Sequence, residues 1–184
     1  MATIELGTRF GIVRALSAGT GRPVLLLHGI RPDQTARTWE GQIFALSAAG
    51  YRAIAPDMPG HGDSDAHEGK LSVAEGLGIA AALLAQLGIE RVSVIGSSWG
   101  GHIALEMALA FPTLVERLLL CATDYDESPA GHEAARRGSQ QRAQVAELVV
   151  HEHAQRLERP RRRIHRAAGV ASFIKVVQAL EHKQ

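Results

Sequence analysis

Gly96-Ser97-Ser98-Trp99-Gly100-Gly101 decides the reading of this chain. It follows Arg91-Val-Ser-Val-Ile95, a run apolar enough for a buried strand. It precedes residues 99–111, which read as a helix stopped by Pro112. Strand, glycine-flanked serine and helix in that order are the context that a G-x-S-x-G turn requires. The flanking glycines leave room for a sharp turn that lifts the Ser98 hydroxyl above a sheet and aims it at a helix N-terminus. Free N–H groups and the helix dipole there favour a developing negative charge. The same six residues also satisfy the plainer description of a Gly/Ser-rich turn.

Outward from this turn, short apolar runs alternate with helical spacing. Strands are predicted at residues 10–16, 23–28, 51–55, 91–96 and 115–122. Helices are predicted at 38–49, with Trp39, Ile43, Phe44 and Leu46 as its apolar positions, and at 71–87, ended by Gly88. Strands separated by helices of ~10–15 residues imply right-handed crossovers and a mostly parallel sheet, an α/β protein. The strand ending at His28-Gly29-Ile30 is expected beside the Ser98 strand. The backbone N–H of Ile30 could then meet that of Trp99 as a two-donor oxyanion hole. His28 reads as turn-stabilising rather than as a proton carrier. In Asp57-Met-Pro-Gly-His-Gly-Asp-Ser64 the Pro and glycines predict a compact loop, fixed by His61 and Asp63.

Leu25-Leu-Leu-His-Gly29, the 57–64 loop and Gly96–Gly101, in this order and spacing, resemble the α/β-hydrolase superfamily over roughly residues 8–124. The resemblance implies Ser98 as nucleophile and the N–H groups of Ile30 and Trp99 as oxyanion donors. It also implies a sheet running from a first strand near the N-terminus to a sixth at 115–122. Serine at the nucleophile position looks like the ester, lactone, amide or C–C hydrolases. It speaks against the dehalogenase and epoxide-hydrolase branches, whose chemistry needs a carboxylate there. Trp99 is similar to the residue after the nucleophile in some proline iminopeptidases and dehalogenases, which implies an indole lining the acyl pocket.

In that superfamily the triad follows the order Ser, acid, His, with the acid after a seventh strand and the His after an eighth. No run after residue 122 reads as either strand. Asp124, just past the sixth strand, is the candidate acid, with a strand-end or capping carboxylate as the plainer reading. The candidate bases His132, His151, His153, His165 and His182 each read first as solvated surface histidines, and His102 is expected to point away from Ser98. Loss of the triad histidine costs about 10⁶ in turnover in a serine protease. The expectation is therefore a hydrolase of a small ester, lactone or amide, acting weakly through a Ser98 acyl-enzyme. The alternative is a catalytically impaired, truncated member or a non-catalytic ligand-binding protein.

Glycine marks the boundary between two segments. Residues 1–124 hold 16 of the 19 glycines, with 9 basic against 12 acidic residues; residues 125–184 hold 3, with 11 basic against 7 acidic. The first segment reads as the α/β core. The second reads as a helical, cap-like segment divided at Pro160. Were the sheet to end at the sixth strand, its apolar edge would need cover, from the C-terminal helices or from a second copy in a homodimer.

A net charge of +1 over 184 residues speaks against nucleic-acid and membrane-surface binding. A single cysteine, Cys121, excludes an internal disulfide. With no signal-like or membrane-length stretch, a cytoplasmic location is the default. His151-Glu-His-Ala-Gln155 has Gln where H-E-x-x-H needs a second ligand, and Gly19-Thr-Gly21 precedes a strand rather than following one. Neither metal nor dinucleotide is expected, no cofactor is called for, and the partner expected is a small-molecule substrate. The basic run Arg159–Arg163 reads as a solvated helix break, with binding of an anionic partner as its alternative.

Overall fold

A computed structural model describes residues 1–121 and 123. Asp124, the five candidate histidines beyond it and the cap-like segment lie outside the described residues. Among the described residues, six strands form one sheet: β1 (Ala2–Thr8), β2 (Gly11–Ala18), β3 (Arg22–Leu27), β4 (Tyr51–Pro56), β5 (Val92–Ser97) and β6 (Val115–Cys121). Their spatial order is β1-β2-β4-β3-β5-β6. The last four pair in parallel, while β1 and β2 form an antiparallel hairpin and β2 pairs antiparallel with β4.

The hydrophobic pattern of β3 explains the layering. Side chains alternate across a sheet, and Leu25 and Leu27 join one core while Val24 and Leu26 join the other. The first core packs against α2 (Val73–Gln86) and α3 (Trp99–Ala110) through Ile79, Leu83, Ile103 and Met107. The second packs against a 3₁₀ turn (Ala36–Trp39) and α1 (Glu40–Ala48) through Trp39, Ile43 and Leu46. Leu25, Leu26 and Leu27 are completely buried, each worth about 1.5–3 kcal/mol of transfer free energy. That double burial is why β3 reads as a continuous apolar run.

Two expectations change. The first predicted strand begins at Gly11, after a hairpin turn that brings in β1, which the apolar pattern did not mark. Only Leu6 of β1 is buried, so the strand has almost no apolar face to read. The helix predicted over residues 38–49 divides into the 3₁₀ turn and α1, and Phe44, counted among its apolar positions, is 54% exposed. The helix predicted at 71–87 begins where Ser72 caps it. The Ser72 side chain accepts from Glu75 N–H, and Glu75 reaches back to Ser72 N–H. Among the described residues, β6 is the outer strand on its side of the sheet, and no helix is long and apolar enough to cross a membrane.

Candidate active site

The end of β5 feeds directly into α3 through Ser98. This residue has φ 53° and ψ −119°, the one positive φ among the described non-glycine residues. Such a conformation costs an L-residue of order 1–3 kcal/mol and persists only where its surroundings fix it. They do so on three sides. Ser98 N–H donates to the carbonyl of Cys121 at 3.0 Å, tying the elbow to the end of β6. The Ser98 carbonyl accepts from Gly101 and His102, opening α3. A side chain on Gly96 would strike the Gly100 carbonyl, and one on Gly100 would strike the carbonyls of Leu27 and His28. The first turn of α3 therefore rests directly on the end of β3, which only glycine permits.

β3 and β5 are parallel neighbours, and their ends bring the His28-Gly29-Ile30 turn to the elbow. A Cβ built on Gly29 would lie 3.4 Å from Ser98 Cβ and would collide with the Gln34 side chain. His28 is buried. Its Nδ1 lies 2.7 Å from the Gly29 carbonyl, and its Nε2 accepts the Met58 N–H at 3.0 Å. This assigns the proton to Nδ1. Gly29 C=O and Ile30 N–H belong to one planar trans peptide, so they point in opposite directions. Holding the carbonyl on His28 therefore turns the Ile30 N–H away from that ring. Among the described residues, neither the Ile30 nor the Trp99 N–H is engaged by a hydrogen bond.

The loop after β4 braces this turn. Its centre is Asp57, 2% exposed, whose Oδ1 accepts Ala36 N–H and whose Oδ2 accepts Asp63 N–H at 2.9 Å. The position after His61 must be glycine, because a side chain on Gly62 would run into the Asp57 carboxylate. His61 Nε2 lies 3.2 Å from the Ile30 carbonyl, and Asp63 contributes mainly its backbone, its carboxylate meeting Arg37 at the surface. Asp57 was not singled out from sequence; the Pro-Gly-x-Gly spacing that lets backbone N–H groups close round it was the available signal. Farther out, the Ile12 N–H and then the Arg14 guanidinium hold the Asp65 carboxyl below its usual range.

The Trp99 indole reaches across to α2, its tip beside Gly76, and packs half-buried against the core. A cleft of about 170 Å³ lies beside the His28-Gly29 turn, lined by His28, Gln34, Thr38, Gln42 and Ser97 among others. A larger hollow of about 420 Å³ lies at the opposite ends of the strands, among Arg22, Arg91 and Arg117, away from Ser98. Of the described histidines, His28 and His61 are committed to backbone atoms. Burial pushes the pKa of the neutral His28 down and the Cys121 thiol up. No group of three or more metal-ligating side chains occurs among the described residues.

Comparison with known proteins bears on the fold. The family profile of the alpha/beta hydrolase fold matches residues 22–168. The chain is 43% identical over 119 residues to an uncharacterized protein of Mycobacterium tuberculosis, covering 64% of this chain and 34% of that protein. It is 40% identical over 105 residues to epoxide hydrolase 3 of Siraitia grosvenorii, covering 56% and 33%. A crystal structure of an N-acyl homoserine lactonase complexed with N-butanoyl homoserine superposes with a TM-score of 0.61 at 29% identity, covering 68% of this chain and 46% of that one. The chain spans about a third of the length of the curated relatives it matches.

Proposed function

The chain belongs to the α/β-hydrolase family, and on that premise we propose that it is a serine hydrolase acting on a small ester, lactone or amide. The observation that carries the proposal is Ser98 at the strained strand-to-helix turn, packed against a second turn that offers a free N–H. Attack by Ser98 Oγ on a carbonyl carbon would give a tetrahedral intermediate whose negative oxygen would be met by the Ile30 and Trp99 N–H groups. Its collapse would break the bond to the leaving oxygen or nitrogen, which takes up the proton that Oγ gives up, and would leave an acyl-enzyme for water to cleave; in a lactone the freed hydroxyl stays on the acyl chain. Losing one such donor typically costs about 10²–10³ in turnover.

Relatives named epoxide hydrolases and a lactonase neighbour leave two chemistries open for the family. A serine oxygen forms an acyl ester that water can cleave at the carbonyl. Opening an epoxide through a covalent intermediate needs a carboxylate, so that its ester can be cleaved in turn. Ser98 therefore favours the carbonyl substrates. A fluorophosphonate probe tests the reading: slow labelling of the wild type that disappears in Ser98→Ala is expected. Labelling no greater than that of Ser98→Ala would overturn it and leave a ligand-binding member without turnover. If labelling is found, short-chain nitrophenyl esters and N-acyl homoserine lactones identify the acyl group.

A further inference from the structure

Two imidazoles from different loops grip consecutive carbonyls of one turn. His28 Nδ1 holds the Gly29 carbonyl at 2.7 Å, and His61 Nε2 holds the Ile30 carbonyl at 3.2 Å. The rings lie against each other, with centroids 4.9 Å apart and planes inclined by 48°. The first contact fixes the peptide that carries the Ile30 N–H, and the second fixes the next peptide. Together they anchor the peptides on both sides of the Ile30 Cα, so that neither can turn without giving up an imidazole contact. Nothing else in the described chain restrains Ile30 so directly: its side chain is 41% exposed.

We infer that His61 is a positioning residue for the oxyanion turn, holding the Ile30 backbone so that its N–H stays aimed at the reacting oxygen. The inference rests on the Ser98 reading for its catalytic meaning, but the restraint on Ile30 is a structural claim of its own. His61 Nε2 must carry a proton, because the Ile30 carbonyl only accepts. Its other nitrogen, Nδ1, lies 3.4 Å from the Pro59 carbonyl, so the Ile30 carbonyl is the shorter of its two contacts. The ring is itself placed by the loop around Asp57: Asp63 N–H closes on that carboxylate two residues further along, and His61 N–H donates to the Met58 carbonyl at 2.9 Å. The chain of restraint runs from the buried carboxylate through the loop to the imidazole and on to Ile30.

The experiment compares the full chain with His61→Phe, which keeps a ring against His28 but has no N–H, and with His61→Gln, which restores a donor. Backbone relaxation should show Ile30 as rigid in the wild type, with an order parameter near ~0.85, and falling toward ~0.6 in His61→Phe while β3 and β5 stay rigid. His61→Gln should recover most of the rigidity. Imidazole nitrogen shifts of the wild type should show a proton on His61 Nε2. Where the probe labels Ser98, the rate should drop roughly 10-fold in His61→Phe and return in His61→Gln, less than the loss of a whole donor. An unprotonated His61 Nε2, or an Ile30 that stays rigid in His61→Phe, overturns the inference even if Ser98 never labels. Absence of labelling in the wild type overturns the hydrolase reading and leaves the Ile30 measurement to decide this one. If His61→Phe does not fold, the wild-type nitrogen shifts and the Gln variant still decide.

Discussion

The backbone N–H of Met58 donates to Nε2 of His28 across 3.0 Å, joining the loop after β4 to the turn after β3. That bond needs a neutral ring with its proton on Nδ1. Burial is the main cause that lowers the His28 pKa below its ordinary 6.5. The folded chain therefore resists a proton that the unfolded chain accepts below about pH 6.5. Stability from this group is present above that pH and is lost as pH falls toward the folded-state value, with a slope of at most about 1.4 kcal/mol per pH unit. Urea midpoints measured from pH 8 to pH 5 should decline below pH 6.5, and His28→Gln should remove that share of the slope.

The carboxylate of Asp57 supports the same loop by accepting two N–H groups at once. Asp57→Ala leaves the buried Ala36 N–H and the part-buried Asp63 N–H without their acceptor, which should cost roughly 2–4 kcal/mol. Asp57→Asn keeps a single good acceptor and turns an amide N–H toward another N–H, so it should fall between the wild type and Ala. Urea unfolding with an unchanged slope and a lower midpoint would bear this out.

Legibility in the sequence followed burial. β3 and β5 are covered on both faces, so their apolar runs stand out, and the glycine-flanked Ser98 marks its own turn. β1 buries one side chain, and nothing local separates it from a loop. The 3₁₀ turn at Ala36–Trp39 begins where Asp57 Oδ1 takes the Ala36 N–H, a partner 21 residues away in sequence. No helical period could show that. His28 and His61 read from sequence as turn- and loop-fixing, but their partners were hidden for a similar reason. His28 and His61 act through carbonyls of the 29–30 turn, and a pattern of side-chain types carries no record of which backbone oxygen each ring will meet.

Two glycines in helices should respond in opposite directions to alanine. Gly100→Ala drives a methyl into the carbonyls of Leu27 and His28, and backbone cannot move aside as a side-chain tip can. A loss of about 3 kcal/mol or more is expected, at the upper end of overpacking costs. Gly78, in α2, is exposed and a side chain there meets nothing within 4 Å. Gly78→Ala should stabilise by about 0.5–1 kcal/mol through helix propensity and a less mobile unfolded chain. Thermal melting of the two variants beside the wild type reads both effects.

Ser98 combines the proposed chemistry with the strained backbone, so replacing it should separate function from stability. At φ 53° and ψ −119°, glycine is at ease where serine and alanine are not. Ser98→Gly should gain roughly 1 kcal/mol: relief of ~1–3 kcal/mol of strain, partly offset by the greater freedom of glycine in the unfolded chain. In a domain of this size that is a rise of about 2–4 °C in Tm. Ser98→Ala keeps the strain and should melt near the wild type, while both variants lose fluorophosphonate labelling. A Ser98→Gly variant no more stable than Ser98→Ala would mean that the turn relaxes in solution. The hydroxyl would then not be held above the sheet by backbone geometry.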